Sequence, residues 1–283
     1  MTDGIRTSHF AAGPGQRAKA YFKVVEVGLG RCLVSPTIAC LSRLKRWSPR
    51  QPAMLGAFPD RAAALAGVPR RHLSTYDDAD VAAVNFQMMC AVRVWDYPVM
   101  FWLDRLHLPG MAILDVGGHF GTKYIAFRRH LRLDEVAWTV YDLPETVRAA
   151  RVAQSRGEVP GNVAFVDDLA DASAVDLLLA SGLLQYLDIP FPQFVARLPN
   201  RPQHILLNKV ATRDGPSVTT LQRIGPARVP YQIRCRAEFE AQVAETGYRI
   251  AETWEIPSLG HVIDTHPELG RSVSRGYLLQ WLG

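Results

Sequence analysis

Hydrophobic and polar residues follow two different patterns along this chain of 283 residues, and the pattern changes near residue 110. Before that position, apolar residues recur at the spacing of a helix, as in Ala62, Leu65 and Val68. A second helical series contains Val81, Val84, Met88, Val92 and Trp95. After residue 110, short apolar runs of strand length alternate with longer amphipathic stretches. The pattern therefore predicts a helical region over residues 19–109, followed by an α/β domain over residues 110–283.

The α/β region contains seven apolar runs of strand length. They are Met111 to Val116, Val136 to Tyr141, Val163 to Val166, Val175 to Ala180, His204 to Val210, Tyr248 to Ile256 and Arg275 to Trp281. Helical patterns separate the earlier runs, and one of them, Arg236 to Thr246, ends at the favourable C-cap residue Gly247. No helical pattern separates the last two runs. We therefore expect a doubly wound sheet with five parallel strands and an antiparallel final pair.

The start of the chain has few features of a folded element. Glycine and proline at positions 13–15 break any regular structure, so we expect residues 1–18 to be disordered. The segment from Ala20 to Leu41 is apolar, but three charged residues interrupt it. A membrane span needs about 18 or more consecutive apolar residues, and no run reaches that length. A docked or amphipathic helix is the prediction for this segment.

Charge is unevenly distributed along the chain. Residues 1–75 contain 12 Lys and Arg against 3 Asp and Glu, whereas residues 76–283 contain 20 against 24. A basic cluster at Arg43, Lys45, Arg46 and Arg50 could contact phosphate or anionic lipid. We favour a solvated helix face, because no stripe of alternating basic and aromatic residues accompanies the cluster. The prediction is a protein that does not bind nucleic acid.

The cysteines give no sign of a metal site or a disulfide framework. Cys32, Cys40, Cys90 and Cys235 are far apart, and none belongs to a CxxC pair or a Cys/His cluster. The first residues, MTDGIRTSHF, also lack a charged and then apolar secretory pattern. We therefore predict a cytoplasmic protein without a bound metal.

The sharpest motif is a glycine-rich turn after the first strand, in the segment LDVGGHFGT. Glycine lets the backbone turn tightly and approach a ligand, and the next helix offers free N–H groups. The dinucleotide fingerprint needs glycine at the first, third and sixth positions, and this chain has glycine, histidine and threonine there. The D-x-G-x-G-x-G form of S-adenosylmethionine enzymes is met at Asp115, Gly117 and Gly121, with His119 at the middle glycine. These residues and Gly118 are candidate cofactor contacts, although a purely structural turn remains open.

Acidic residues follow the next two strands. Asp142 ends the second strand, where its carboxylate can accept both hydroxyls of a ribose. Asp168, with Asp167 as the alternate, follows the third strand and could accept from an adenine amino group. Each aspartate could instead be a helix cap. The further cofactor candidates are the apolar neighbours Leu143 and Leu169 and, after the fourth strand, Ser181.

The segments LDVGGHFGT, VYDLPE, VAFVDDL and DLLLASGLLQYLD together resemble class I S-adenosylmethionine-dependent methyltransferases, in the order and spacing of the small-molecule O-methyltransferases. The resemblance implies a Rossmann-like seven-stranded sheet and S-adenosylmethionine as the cofactor. The chain departs from those enzymes after the fourth strand, where Leu184-Gln185-Tyr186 replaces their His-Asp-Trp-like run. Their catalytic histidine therefore has no counterpart here.

From residue 85 onwards, the chain also resembles a bacterial family of small-molecule methyltransferases from polysaccharide and secondary-metabolite clusters. The similar segments are ASGLLQYL, HILLNKV, TLQRIGPARVPYQI, RAEFEAQVAETGYRI and SRGYLLQ. Activity in that family is mostly inferred. The resemblance implies the fold and the cofactor but does not define the acceptor.

Several residues are candidates for the chemistry at the acceptor. Histidine suits a general base near neutral pH, so His119 ranks first and His261 second, although either could be an ordinary loop histidine. Gln185 and Tyr186 follow the fourth strand and could hydrogen-bond a substrate, or begin a helix with Tyr186 in the core. The segment from Ala211 to Ile233 contains three prolines and is predicted to be a long binding loop. The candidate substrate contacts are Gln222, Arg223 and Tyr231 in that loop, with Asp96 and Tyr97 across the pocket.

The leading hypothesis is methyl transfer to a small molecule, with O-methylation of a saccharide or secondary metabolite preferred. A nicotinamide-dependent oxidoreductase would also use a glycine loop and Asp142, but the glycine spacing disfavours it. A non-catalytic binding module with the methyltransferase fold is the second alternative, since the family's catalytic histidine is missing. The predicted partner is a small-molecule acceptor, and a homodimer is left open.

Overall fold

The computed structural model describes residues 36–48, 51–67, 86–106, 109–225 and 227–283. The predicted disordered segment 1–18 lies outside these residues, as does most of the segment from Ala20 to Leu41. Two of the apolar positions in the second helical series, Val81 and Val84, also lie outside them.

A seven-stranded sheet forms the centre of the described structure. Its strands are β2 Ala112–Val116, β3 Ala137–Tyr141, β4 Val163–Val166, β5 Leu177–Ser181, β6 His204–Arg213, β9 Tyr248–Ile256 and β10 Val273–Trp281. Their order is β4-β3-β2-β5-β6-β10-β9. The first five are parallel, whereas β10 is antiparallel to both of its neighbours. This is the Rossmann-like methyltransferase sheet that the sequence predicts.

Helices cover both faces of this sheet, and eight helices lie within the described residues. They are α1 Pro36–Arg43, α2 Arg61–Ala66, α3 Phe86–Met89, α4 Tyr97–Leu106, α5 Thr122–Phe127, α6 Pro144–Ser155, α7 Phe191–Ala196 and α8 Arg236–Glu245. One core cluster includes residues of α4, α5 and α6, and a second includes residues of α7 and α8. Because helices lie on both faces, the central strands consist mainly of buried apolar residues, as in β5, where residues 177–180 are fully buried.

A second, antiparallel sheet continues from the end of β6. It consists of β1 Met54–Phe58, β7 Val218–Ile224 and β8 Ala227–Cys235, in the order β1-β7-β8. Thr212 and Arg213 at the end of β6 pair with Arg234 and Cys235 of β8. Thr212 also pairs with Val273 of β10 on the opposite edge of β6. Strand β8 therefore pairs with the same edge of β6 as β5 does, beyond the point where the pairing with β5 ends.

The prediction of a long loop from Ala211 to Ile233 is therefore wrong, because the segment is a β-hairpin. Its prolines had suggested a loop. Pro230 is opposite Leu221 of β7, and the other edge of β8 has a strand partner only at its final residues. A proline without an N–H is tolerated at such an edge.

The described part of the N-terminal region contains short helices, as predicted. It also contains one strand, β1, which the sequence pattern did not predict. The first helical series is confirmed in part by α2, which begins after the N-cap Asp60, whose carboxylate accepts from the Ala63 N–H at 2.7 Å. The second predicted helical series does not form one continuous helix. It is interrupted after α3, and a single 3-10 turn, Val94–Asp96, leads into α4. None of the helices within the described ranges has the length and apolar character that a membrane crossing requires.

Candidate functional site

The glycine loop between β2 and α5 has the conformation that its sequence requires. Gly117 and Gly121 have φ angles of 72° and 71°, and His119 also adopts the left-handed region at 57°. Gly118 is constrained by space, since a Cβ atom there would lie 2.5 Å from Asp115 Oδ2. The loop therefore needs glycine for backbone conformation at two positions and for close approach at a third.

Asp142 connects the end of β3 to this loop. Its Oδ2 accepts from the backbone N–H of His119 and its Oδ1 from that of Leu143, each at 2.8 Å. Burial raises the pKa of the Asp142 carboxyl, and the two backbone N–H donors oppose that shift. The structure thus brings the two predicted parts of the cofactor site together.

The residues at the end of β4 remain accessible. Asp167 and Asp168 are exposed, and Leu169 is half-buried. Asp168 Oδ1 accepts from the Ala170 N–H at 2.9 Å and so caps a 3-10 turn, Leu169–Asp171. Leu143, at the end of the neighbouring strand, is 41% exposed. These side chains border the same sheet edge as Asp142, and the capping role that the sequence left open is observed for Asp168.

A cavity of about 120 Å³ lies beside the glycine loop. Its floor contains Gly117, Gly118 and Ser181, at the ends of β2 and β5. Met88 and Trp95, from the N-terminal region, form part of its roof. The pocket is therefore lined on one side by the segment that precedes the sheet.

A buried carboxyl group, that of Asp115, lines this cavity. Asp115 is 1% exposed, and its Oδ2 has no hydrogen-bond partner within the described residues. Burial raises the pKa of Asp115 to about 7, against the opposing charge of Lys123. An unpaired buried carboxylate is costly, so a cationic or hydrogen-bonding ligand would find a strong acceptor there.

The cavity also contains basic residues that the sequence analysis did not select. Lys209 and Lys123 line it, together with Arg93 from the roof. Lys123 Nζ forms an ion pair with Asp96 Oδ1 at 2.7 Å, and Asp96 is completely buried. Lys209 could have been selected from the sequence, because it is a lysine at the end of a predicted strand, in the segment HILLNKV.

Asn208 links the roof to the sheet. Its side-chain amide donates to the Trp95 carbonyl oxygen at 3.1 Å and to Ser181 Oγ at 3.4 Å. Its Oδ1 accepts from the Trp254 indole N–H at 3.3 Å. Because Asn208 is buried, these contacts hold the roof segment against β5 and β6.

The leading candidate for the general base, His119, lies within an aromatic stack. Its ring is 4.4 Å from that of Phe120 and 6.5 Å from that of Phe86, in both cases close to parallel. The residue is 7% exposed, and it does not line the cavity. This placement matches the alternative in which His119 fills space beside Phe120, and the catalytic role stays a prediction.

Four further candidates meet on the antiparallel sheet. Tyr186 Oη donates to Gln222 Oε1 at 2.6 Å. The ring of Tyr231 contacts those of Tyr186 and His261 edge to face, at 5.6 and 5.9 Å. Tyr231 is buried among Met54, Val218 and other apolar residues, and burial raises the pKa of its hydroxyl. The cluster packs the second sheet, and Tyr231 belongs to its core.

A larger cavity of about 280 Å³ lies on the other face of β8. Pro230, Gln232 and Arg234 line it, whereas Tyr231 and Ile233 point to the opposite face, as strand alternation requires. Gln185 and Tyr186 form part of its wall. Arg234 Nη1 donates to the Leu184 carbonyl oxygen at 2.5 Å, and burial lowers the pKa of Arg234 to about 10.

The five predicted substrate contacts are not among the residues that line either cavity; they are Asp96, Tyr97, Gln222, Arg223 and Tyr231. Asp96 is buried and forms an ion pair with Lys123. It also caps the turn before α4 by accepting from the Arg93 N–H at 3.0 Å. Tyr97 is 62% exposed. Arg223 is exposed, and its backbone N–H donates to the Ala53 carbonyl oxygen within the second sheet. Asp96 thus holds a lysine of the first cavity, and its role as a substrate contact stays a prediction.

No cluster of three or more histidine, cysteine or acidic residues with the geometry of a metal site occurs in the described segments. Cys40, Cys90 and Cys235 are free thiols.

Comparison with models of protein families finds no match to this chain, and comparison with curated proteins finds none either. Similar solved structures include the 1,6-didemethyltoxoflavin-N1-methyltransferase of Burkholderia thailandensis, with 19% identity over 74% of this chain and 92% of that chain and a TM-score of 0.43. The glycopeptide N-methyltransferase MtfA has 12% identity over 65% and 98%, with a TM-score of 0.43. OxaC has 13% identity over 94% and 69%, with a TM-score of 0.46. These similarities are too weak to define an activity, so the fold assignment rests on the strand order.

Proposed function

We propose that this chain is an S-adenosylmethionine-dependent methyltransferase that acts on a small-molecule acceptor. The observation that carries the proposal is the convergence of the glycine loop, Asp142 and the cavity containing Asp115 at the carboxyl ends of β2, β3 and β5. Ligands of open α/β sheets bind at this edge. The site combines close backbone approach with acceptors for a nucleoside and for a cationic group.

The residues at this edge fit the cofactor. The Asp142 carboxylate accepts two backbone N–H groups and the Thr146 hydroxyl, and a carboxylate has about four lone-pair sites, so acceptor capacity remains for a ribose hydroxyl. Leu143 and Leu169 offer apolar surface for an adenine ring, with Asp168 beside them. The unpartnered Oδ2 of Asp115 suits the α-ammonium group. Gly118 leaves the space that a ligand beside Asp115 would need.

The cofactor supplies a methyl group that its sulfonium has already activated. The protein must then position the acceptor and exclude water, and positioning alone can contribute about 7 to 11 kcal/mol to lowering a barrier. Gln185 is suited to orient an acceptor, because it lines the larger cavity and its side chain approaches residues beside the first cavity. Its Nε2 is 3.6 Å from the Cβ position of Gly182, which adjoins Lys209 of the first cavity.

We assign the 280 Å³ cavity to the acceptor. Its lining is mostly polar and includes both signs of charge, with Asp60, Arg61, Gln232 and Arg234 among its residues. Such a lining suits a neutral molecule rich in hydroxyl groups, which supports O-methylation of a saccharide or a hydroxylated secondary metabolite. Tyr186 and Gln185 would hydrogen-bond the acceptor, with Tyr186 oriented by Gln222.

Calorimetric titration with S-adenosylmethionine, S-adenosylhomocysteine and NADH tests the cofactor assignment. We expect binding of the first two and none of NADH. Asp142→Ala should weaken S-adenosylhomocysteine by about 10- to 100-fold, through the loss of charge-assisted hydrogen bonds. Asp134→Ala, an exposed carboxylate before β3, is the matched control and should leave the affinity unchanged. Binding of NADH alone would favour the oxidoreductase.

A screen for transfer of a radiolabelled methyl group to hydroxylated saccharides and phenolic metabolites tests catalysis. The non-catalytic binding module remains the second candidate, because His119 is held in an aromatic stack and does not line the cavity. Tight cofactor binding without transfer to any acceptor class would favour that alternative.

A further inference from the structure

Lys209 interrupts the regular pairing of β6 with β10. Leu207 is opposite Tyr277, whereas Val210 is opposite Arg275, so β6 has one more residue than β10 between these two pairs. Lys209 has a φ angle of 60°, in the left-handed region that residues other than glycine seldom adopt. Such bulges commonly redirect a side chain near functional sites.

The bulge places the Lys209 side chain against Gly182 at the end of β5. The Cε and Nζ atoms of Lys209 are each 3.1 Å from the position that a Cβ atom on Gly182 would occupy. Lys209 also lines the 120 Å³ cavity with Ser181 and Gly117. The amine is therefore next to the glycine loop and faces the space assigned to the cofactor.

The charged groups around Lys209 leave it without a counterion. Asp96 and Asp115 favour its ammonium form and Lys123 disfavours it, while Arg93 lines the same cavity. Asp96 is already paired with Lys123. Among the described residues, Lys209 Nζ has no hydrogen bond or ion pair, and burial lowers its pKa to about 8.

Asp115 Oδ2 and Lys209 Nζ therefore lie in one cavity, and neither atom has a hydrogen-bond partner among the described residues. We propose that Lys209 binds the α-carboxylate at the amino-acid end of S-adenosylmethionine, while Asp115 accepts from the α-ammonium group. This inference rests on the proposed function and adds the residue that recognises the anionic end of the cofactor. A carboxylate supplies the missing counterion, so ligand binding and protonation of Lys209 favour each other.

Affinity measurements with two ligands test the assignment. Lys209→Met should weaken S-adenosylhomocysteine by about 10- to 100-fold, the loss expected for a charge-assisted contact. The affinity of 5′-methylthioadenosine, which lacks the amino-acid end, should change by less than about threefold, under one tenfold step. Lys45→Met, which removes an exposed lysine from the turn after α1, is the control and should leave both affinities unchanged.

Proton uptake provides a readout that a purely structural role would not change. With a pKa of about 8, Lys209 is neutral in about three quarters of molecules at pH 8.5. Binding of S-adenosylhomocysteine should then take up most of one proton, as measured by calorimetry in buffers of different ionisation enthalpy. Lys209→Arg keeps the charge, so it should retain more affinity than Lys209→Met, but this Lys209 contribution to uptake should disappear in both variants.

The possible outcomes separate the inference from the proposed function. If the wild-type protein binds neither S-adenosylhomocysteine nor 5′-methylthioadenosine, the cofactor assignment itself fails. If the wild type binds both ligands and Lys209→Met weakens them equally, or weakens neither, the carboxylate contact is wrong. Equal proton uptake by the wild type and Lys209→Arg would overturn it even if Lys209→Met does not fold.

Discussion

At the scale of single residues, Gly118 is the most tightly constrained position in the candidate site. A methyl group there would lie 2.5 Å from Asp115 Oδ2 and 3.1 Å from the Asp115 carbonyl oxygen. Gly118→Ala should lower the free energy of unfolding by about 1 to 3 kcal/mol and weaken S-adenosylhomocysteine, because the loop must shift. Urea denaturation and calorimetry measure the two effects. Gly161→Ala, with no atom within 4 Å of the added methyl, should change neither.

Asp115 makes the stability of the protein depend on pH. Its pKa is about 7 in the folded protein, so between its unfolded value and pH 7 the folded state binds more protons than the unfolded state. This residue's contribution to stability therefore falls as the pH rises from about 4 to about 7. Asp115→Asn should remove that decline and weaken S-adenosylhomocysteine. Melting temperatures at pH 5 and 8 measure it, and an unchanged pH profile in the variant would contradict the assignment.

Lys209 is expected to reduce stability in the absence of ligand. Because its pKa is lowered on folding, the folded state binds fewer protons than the unfolded state between about pH 8 and 10. The cost of the buried charge is therefore fully present at pH 7. Lys209→Met should raise the melting temperature by a few degrees. For a chain of this size, each kcal/mol gained in the free energy of unfolding raises the melting temperature by about 4 °C or somewhat less. A lower melting temperature would show that the lysine stabilises the free protein.

At the scale of secondary-structure elements, the two faces of β8 have different roles. Tyr231 is in the core of the antiparallel sheet, whereas Gln232 lines the larger cavity. Tyr231→Ala should lower the free energy of unfolding by about 3 to 5 kcal/mol, as for other large aromatic residues in a core. Tyr231→Phe should keep the packing and leave S-adenosylhomocysteine affinity within about threefold, under one tenfold step. Thermal denaturation that finds Tyr231→Ala as stable as the wild type would contradict this placement.

The central sheet could be predicted because its signals are local. Strands β2 and β5 are buried on both faces, so they form largely apolar runs between helical patterns, with Asp115 as the buried exception in β2. The antiparallel sheet was missed because its prolines suggested a loop, and its buried face also contains polar residues that obscure the alternation of a strand. Thr220 is completely buried, and its hydroxyl donates to the Leu55 carbonyl oxygen of β1 at 3.2 Å. Nothing in the sequence near Thr220 indicates that distant partner.

The candidate site divides in the same way. The glycine loop and Asp142 were identified because each is next to a strand in the sequence. The ion pair of Asp96 with Lys123 was not predicted, because Lys123 is 27 residues away in the sequence. Lys209 requires a bulge and the small residue Gly182 on a neighbouring strand, and a pattern of hydrophobic positions contains neither.

At the scale of the whole molecule, the charge imbalance defines which partners are expected. Within the described part of the basic region, Arg43 pairs with Glu268 near the C-terminal strand at 2.5 Å. The other basic residues of that region should support only weak, non-specific contacts, about 10⁻⁴ to 10⁻⁶ M for duplex DNA near physiological salt. Fluorescence anisotropy with labelled duplex measures this affinity. A sub-micromolar dissociation constant would contradict the prediction.

The first 18 residues are expected to be dispensable for the cofactor. The proposed cofactor contacts come from β2, β3, β5 and β6, together with a roof segment that begins near Met88. Deleting residues 1–18 should therefore leave the affinity for S-adenosylhomocysteine within about threefold, under one tenfold step. Calorimetry on the shortened chain measures it. A loss of more than tenfold would place part of that segment in the site.

The single extra residue in β6 has a consequence for how this sheet could change in evolution. If the codon for Lys209 were deleted, Asn208 and Val210 would become neighbours, and the ladder with β10 would be regular again. The fold would then be compatible with a shorter gene that lacks the cavity lysine. In an alignment of related sequences, a one-residue gap at position 209 would therefore distinguish proteins that keep this lysine from proteins that keep only the fold.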